Sequence, residues 1–551
     1  MKKNIQTLAV LLAFGILAVS AQAQGHYKSF IVSTYATQGT VQRLIDGDLD
    51  PAESWSNLTR NLKIDKIYIE VMRNHTLVDE AGLEKLKKFY QDQGVQVCGG
   101  LAYSVSEANG YQGFDYADPE NRAFAKKAVE MAARHMDNLK PGVNKGGWVD
   151  QGGANPIDRY SEQLLDTVFS RCPEMCCFNY SGMLGAIRFG ANRTWADQPT
   201  SLNLAEAQKT IGPDEDLTFA DIAAYTLGQA DKVLAHVGKP VGIKTYTPYH
   251  ATGEEFLHDY LGMIGLPMDI FPQFPTDADM VLLTEQAKFD LNIVEKIKAQ
   301  LRAGKSVCVT SGFLRAMKGK GVEDICEIEA TGATVPVRRF TFAGGPGAPF
   351  RSGRGFGRGA GASQTNAPLA ADSFEASRDI FIPEIKYFNI LTHDAWGDTL
   401  GISPGGTTYP VLLSGDYSKG KFYVLNIPND PADLYAFPST VLSVIRAALG
   451  SAEPIRIDNA PAQVALFRYD NSTFIVQNYL PAEATVTVSI AGNAAQIQDL
   501  LTGKEILPAP ATGRGFGGFG GGFRGRGPAA PPRTAFTFTV PPHSYMAFTV
   551  K

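Results

Sequence analysis

Beyond residue 24 the 551-residue sequence has no apolar run approaching the roughly 20 residues a bilayer-spanning helix needs, so no membrane insertion is expected. Charge is also scarce. Charged residues make up 19% of the chain and the formal net charge is −5, which gives no electrostatic reason to expect nucleic acid or an anionic membrane as partner. Within residues 235–450 there is no G-x-x-x-x-G-K-[ST] phosphate loop, no G-x-G-x-x-G following a strand, and no G-x-S-x-G with a histidine after it. These absences argue against nucleotide, dinucleotide and serine-hydrolase chemistry, and no cofactor is expected. The six cysteines fit no zinc spacing, so no metal is expected either. Cys98, Cys176, Cys177 and Cys308 fall inside predicted strands, where free cysteine behaves as a small core residue. Free cysteines are the favoured reading, and Cys172 with Cys176 is the only local pair worth testing for a disulfide.

What is present describes a folded, multidomain protein. An apolar fraction of 44% over this length builds more than one core. Residues 1–23 read as a signal peptide, with Lys2 and Lys3 at the start, an apolar run from Leu8 to Val19, and small residues at Ala21 and Ala23. A secreted or periplasmic location is expected.

Five short apolar or β-branched segments follow: Phe30–Tyr35, Lys66–Met72, Val95–Tyr103, Gly146–Asp150 and Met175–Tyr180. Helical patterns, including Asn121–His135, fill much of the space between them. The alternation predicts a (β/α) barrel over residues 27–234, but an incomplete one, because a closed barrel of this kind needs about eight strands. Residues 235–450 predict an α/β domain with strands Val241–Tyr246, Met268–Phe271, Met280–Thr284 and Ser306–Thr310 and helices Glu254–Ile264 and Phe289–Ala303. Phe381–Asn426 and helix Pro438–Leu449 complete it as an open, mostly parallel sheet. From Pro454 the pattern becomes alternating strands, a small β-sandwich over 454–551, with strands Gln463–Tyr469, Thr473–Asn478, Thr485–Ile490, Ala535–Val540 and Tyr545–Val550. Two Gly, Arg, Phe and Pro-rich stretches, 343–366 and 511–533, interrupt these domains and read as flexible loop insertions. Their composition resembles the arginine–glycine segments of RNA-binding proteins, but an exported acidic chain is a poor RNA partner.

In a barrel of parallel strands, side chains at the C-terminal strand ends converge on one mouth. Glu70 in IYIEVMRNHT and Asp150 in GGWVD stand at such ends and are the candidate catalytic carboxylates. For Glu70 the competing reading is a structural ion pair with Arg73. For Asp150 it is a helix cap, with Trp148 filling the interior. An aromatic platform beside a carboxylate suits a sugar, whose apolar face stacks while its hydroxyls seek polar partners. Tyr35, Arg73, His75, Tyr103, Trp148, Asn179 and Tyr180 are the candidate substrate-binding residues. Asp158 reads as a cap. Ser311 in TSGFLRAM reads as part of a strand-to-helix turn, since no base accompanies it.

The segments IYIEVMRN, GVQVCGGLAYS, KPGVNKGGWVD, DRYSEQL and RAGKSVCVTSGFLRAM resemble an uncharacterised family of exported bacterial proteins of the hypothetical glycosyl hydrolase kind. The domain order resembles the family 42 beta-galactosidases. That resemblance implies a glycoside hydrolase acting on O-glycosyl bonds and an amidotransferase-like middle domain, through which a homo-oligomer could form. It also implies strands four to six, the usual seat of the acid/base residue, between the third strand and the KPG segment. In this sequence the predicted helix Asn121–His135 runs almost directly into MDNLKPGVNKGGWVD. Two readings stand: a hydrolase using Glu70 and Asp150, or a non-catalytic glycan-binding or scaffold protein of the same descent. A third, amidotransfer by the middle domain, lacks a nucleophile.

Overall fold

The computed structural model describes residues 26–73, 76–102, 147–151, 157–187, 216–249, 251–342, 374–387, 395–510 and 532–551. The chain divides into two compact units, Met1–His236 and Val237–Lys551. Residues 1–25, Tyr103, His75, the predicted helix 121–135 and both Gly/Arg-rich stretches through 366 and 531 lie outside the described residues.

In the first unit the strands are β1 (Ile31–Ala36), β2 (Lys66–Arg73), β3 (Thr76–Leu77), β4 (Gln96–Ala102), β5 (Gly147–Asp150) and β6 (Glu174–Phe178). Five of them run parallel in the spatial order β4-β2-β1-β6-β5, and β3 folds back antiparallel onto the end of β2. The last described strand of this unit therefore lies against the first, as the last and first strands do in a closed (β/α) barrel. Among the described residues β4 and β5 are the two edges of this arc, so the sheet is open.

Alternation along the strands separates two faces. Val32, Ile67, Ile69, Val149 and Cys177 are buried with the apolar stripes of the surrounding helices. Those helices have clear local causes. Pro51–Thr59 starts with proline at its first position behind Asp50, whose carboxylate accepts the Glu53 N–H at 2.7 Å. Glu80–Asp92 is capped by Asp79 and buries Leu83, Leu86 and Tyr90. Phe219–Leu234 opens on a reciprocal capping box between Thr218 and Asp221.

The sequence expected β6 to run on to Tyr180. It stops at Phe178, and Asn179 caps a single helical turn, Tyr180–Met183, by accepting the Gly182 N–H at 2.9 Å. All six cysteines are free, so the Cys172–Cys176 bridge is not made.

The second unit contains β7 (Pro240–Val241), β8 (Ile243–Tyr246), β9 (Met268–Phe271), β10 (Met280–Leu283), β11 (Ser306–Thr310), β12 (Ile328–Phe342), β13 (Glu375–Tyr387), β14 (Trp396–Ile402), β15 (Thr408–Tyr417) and β16 (Gly420–Leu425). Its sandwich part adds β17 (Ile455–Asn459), β18 (Val464–Tyr469), β19 (Thr473–Asn478), β20 (Ala484–Ala491), β21 (Ile497–Asp499), β22 (Glu505–Ile506), β23 (Arg533–Val540) and β24 (Ser544–Val550).

A nine-stranded sheet runs β13-β12-β14-β15-β16-β11-β10-β8-β9. Only the half β9-β8-β10-β11-β16 is parallel; β12 to β15 pair antiparallel with each other and β15 with β16, which corrects the expectation of a mostly parallel sheet. The fold is thus α/β with mixed, open sheets. The helix expected over Glu254–Ile264 spans only Leu257–Met263, because Glu254 and Phe256 take left-handed backbone conformations at φ +47° and +62°. The sandwich packs sheet β17-β20-β23 on sheet β22-β21-β24-β19-β18-β7 around Phe474, Val476, Val488, Phe536 and Phe548.

Candidate functional site

On the arc face turned away from the helices, register places Tyr68, Tyr35, Phe178 and Asp150 in one row across β2, β1, β6 and β5. The aromatic members touch. Tyr35 lies 6.2 Å from Tyr68 and 5.4 Å from Phe178 between ring centroids, and Trp148 meets Phe178 edge-on at 4.4 Å. A nearly continuous aromatic belt therefore spans the sheet from β2 to β5. Sequence reasoning missed Tyr68 and Phe178, although each shows as an aromatic near the end of a predicted strand.

Nearer the N-terminal ends, the same face carries a buried polar knot. Glu174 accepts hydrogen bonds from Lys66 at 2.7 Å, Ser33 at 2.7 Å and Tyr68 at 2.9 Å. This knot fixes β1, β2 and β6 relative to one another and holds the floor beneath the belt.

Glu70 stands on this face one pleat above Tyr68 and is 0% exposed. Its two carboxylate oxygens accept a bidentate pair from Arg73, Nε at 2.6 Å and an Nη at 2.8 Å. Burial together with the nearby Glu70 charge pushes the Tyr35 phenol well above its ordinary range. Arg73 is held above its ordinary value by its bonds to Glu70. Both Glu70 oxygens thus accept from a guanidinium, which can only donate. Arg73 itself is 33% exposed.

At the other edge, Asp150 is exposed at the end of β5. Trp148 is 62% exposed. The following residue, Gln151, accepts the Asn179 N–H at 3.0 Å and so ties the end of β5 to the end of β6. Between Glu70 and Asp150 lie three interstrand steps, about 14 Å along a flat sheet.

The structure does not bring all the expected residues together. Tyr180 is fully buried on the helix side, beside Trp55 and Tyr90, sharing a hydrogen bond with Ser54 at 2.9 Å. Asn179 spends its side chain on the helical turn. Tyr35, Glu70 and Arg73 form one cluster, Trp148 and Asp150 a second, and Phe178 joins them.

In the second unit the parallel strands follow the order second, first, third, fourth, fifth, whose ligand crevice lies beyond the strand ends between β8 and β10. Glu254 occupies the neighbouring strand ends. Its carboxylate accepts the N–H of Glu285 at 2.7 Å, the N–H of Gly312 at 3.2 Å and the Thr310 hydroxyl at 2.5 Å. Burial raises the Glu254 carboxyl above its usual range. Ser311 is buried and accepts the Ile427 N–H at 3.0 Å. Cys308 is fully buried and its thiol is pushed well up by that burial. Neither is placed as a nucleophile. No group of three or more metal-ligating side chains occurs among the described residues.

Comparison with known proteins identifies the ends of the chain. Residues 19–140 and 132–236 match the model described as "Probable glycosyl hydrolase, catalytic domain", and residues 454–550 match "Probable glycosyl hydrolase, C-terminal domain". Over these residues the chain is glycosyl-hydrolase-like. Residues 238–342 match "Uncharacterized protein SSO3021, second domain".

Among solved structures, a beta-galactosidase from Bacillus circulans sp. alkalophilus is similar at 12% identity and a TM-score of 0.37, covering 88% of this chain and 63% of that one. A GH42 beta-galactosidase from G. stearothermophilus is similar at 11% identity and a TM-score of 0.37, covering 88% and 64%. The alpha-L-fucosidase isoenzyme 2 from Paenibacillus thiaminolyticus is similar at 11% identity and a TM-score of 0.40, covering 93% and 79%. The chain thus spans less than two thirds of the two galactosidases. No curated protein matches.

Proposed function

We propose that this chain is an exported glycoside-hydrolase-like protein that acts on glycans at the C-terminal mouth of its strand arc, with Glu70 and Asp150 as the carboxylate pair. One observation carries the reading: the aromatic belt Tyr68–Tyr35–Phe178–Trp148 crosses the inner face with a carboxylate near each end. Aromatic rings offer a sugar its stacking surface, and carboxylates can handle its glycosidic oxygen and hydroxyls. In this scheme Glu70 and Asp150 divide the acid and the base or nucleophile roles between them. The two carboxyl groups must approach within about 5–9.5 Å, so the arc must curve to bring them closer than their strand separation. The matched glycosyl hydrolase models at both ends supply the reaction class, and the N-terminal segment supplies the expectation of export.

The test is release of aglycone from a panel of aryl glycosides by the full chain, by Glu70→Gln and by Asp150→Asn. Both variants should lose at least a hundredfold in rate. A wild-type rate in either removes that residue from the mechanism.

A second reading, a non-catalytic glycan binder, is favoured by the complete burial of Glu70 and its full engagement by Arg73. Saturable glycan binding by the wild-type chain with no product released from any of the panel would select it.

A further inference from the structure

In the second unit, the chain leaving β8 returns to the sheet before helix Leu257–Met263 begins, and between Ala251 and Phe256 it sets the Glu254 carboxylate on the ends of β10 and β11. The three donors come from two different strand ends. Glu285 N–H lies beyond β10, while the Thr310 hydroxyl and the Gly312 N–H lie at the end of β11. Thr310 gives its proton to Glu254 because its oxygen already accepts the Phe313 N–H at 3.2 Å. Two glycines make room for this contact. A Cβ on Gly312 would stand 2.3 Å from a Glu254 carboxylate oxygen, and one on Gly253, at φ +115°, would stand 2.8 Å from the Glu285 carboxyl carbon.

Apolar burial does little to hold this segment down. Thr252 and Glu255 are exposed, and Phe256, its one large apolar side chain, is 75% exposed. The backbone works against the closed form, since Glu254 and Phe256 both occupy the left-handed region. Its other hydrogen bonds are local, Ala251 N–H to the Pro248 carbonyl and Gly253 N–H to the Glu255 carboxylate, so they stay made when the segment lifts. The charge-assisted bonds of Glu254 are what tie it to the sheet. We propose that residues 251–256 form a strap latched by Glu254, which swings off the switch-point crevice as one piece when the carboxylate lets go and so controls access to the ends of β10 and β11. The strap lies within the second unit and takes no part in the carboxylate scheme above. Lifting it frees the donors that Glu254 now occupies.

The test is amide hydrogen exchange and limited chymotrypsin digestion of the full chain, comparing wild type with Glu254→Ala, which removes the latch, and Gly312→Ala, which leaves it no room. Alanine suits a helix better than glycine, so Gly312→Ala spares helix Ser311–Ala316. In both variants the Glu285 amide should exchange, and the chain should be cut after Phe256, at least about tenfold faster than in wild type. Exchange within Met280–Leu283 and Ser306–Thr310 should stay at wild-type rates, which separates a lifted strap from a loosened sheet. Wild-type rates at Glu285 and Phe256 in either variant overturn the proposal. Faster exchange spread equally through β10 and β11 overturns it too, because the carboxylate would then hold the sheet together. If Glu254→Ala does not fold, Gly312→Ala alone decides between these outcomes.

Discussion

Glu70 and Arg73 are three residues apart in a strand, and regular alternation would send them to opposite faces. They meet because β2 bulges: the pairing with β4 shifts register between Glu70 and Met72, leaving Val71 as the extra residue. The sequence offered both an ion pair and a catalytic role for Glu70, and nothing in IYIEVMRN announces a bulge. The same fact changes what a variant should do. Glu70→Gln removes one charge of a largely buried pair, so it should cost about 2 kcal/mol of stability in addition to any loss of rate. Arg73→Lys should also cost about 1–2 kcal/mol, since an ammonium cannot reproduce two parallel bonds. Urea midpoints of the two variants check this, and an unshifted midpoint for Arg73→Lys would show that the fork carries no stability.

Asp221 makes a different prediction. Burial opposes its ionisation, but hydrogen bonds from Arg60, Asn61 and Thr218 outweigh burial and hold the carboxyl below its ordinary value. A carboxyl depressed in the folded state stabilises it above the unfolded value, near pH 4, and that contribution fades as pH falls through the folded value. Asp221→Asn should therefore be less stable than wild type at pH 7 by about 2 kcal/mol, and the difference should shrink below about pH 4. Urea unfolding at pH 7 and pH 3 reads it directly.

At the scale of elements, the parallel strands were legible because they are short apolar runs such as Met280–Leu283 and Ser306–Thr310, buried on both faces. All five barrel-type strands of the first unit appear within two residues of their expected bounds, apart from the turn at Asn179. The antiparallel half of the second sheet was not legible. β12 shows no regular alternation through EATGATVPVRRF, where only Val337 and Phe340 are buried, and its partner β13 begins only beyond residue 373. Strand order was hidden as well, since no local pattern says that β6 returns to β1.

That return creates a crowded inner face, and Gly100 shows how crowded. A Cβ there would stand 2.6 Å from the Tyr35 hydroxyl oxygen, on a ring already packed between Tyr68 and Phe178. Gly100→Ala should displace Tyr35 from Glu70 and cost about 1–3 kcal/mol by overpacking. Tyr35→Phe combined with Gly100→Ala should recover part of this, because the closest clashing atom is gone while ring carbons at 2.9 and 3.0 Å remain. A double variant no more stable than Gly100→Ala alone would place the strain elsewhere.

Over the whole molecule, the proposed glycan surface belongs to the Met1–His236 unit. The strand ends where the second unit would receive a ligand are engaged by Glu254. Glycan binding should therefore stabilise one unit by mass action and leave the other unchanged. At a glycan concentration one hundred times its Kd, the bound unit gains about 2.7 kcal/mol. Amide exchange measured with and without that sugar localises the gain. Added protection should concentrate in Gly147–Asp150, in helix Ile157–Phe169 and in Glu174–Phe178, the segments that carry the Trp148–Phe178 end of the aromatic belt or pack behind it. Residues of Val237–Lys551 should exchange as before. Trp148→Phe should reduce the effect in proportion to its weakened affinity. Protection appearing instead around Glu254, Glu285 and Gly312 would mean that the sugar displaces that carboxylate, and would move the glycan site to the second unit.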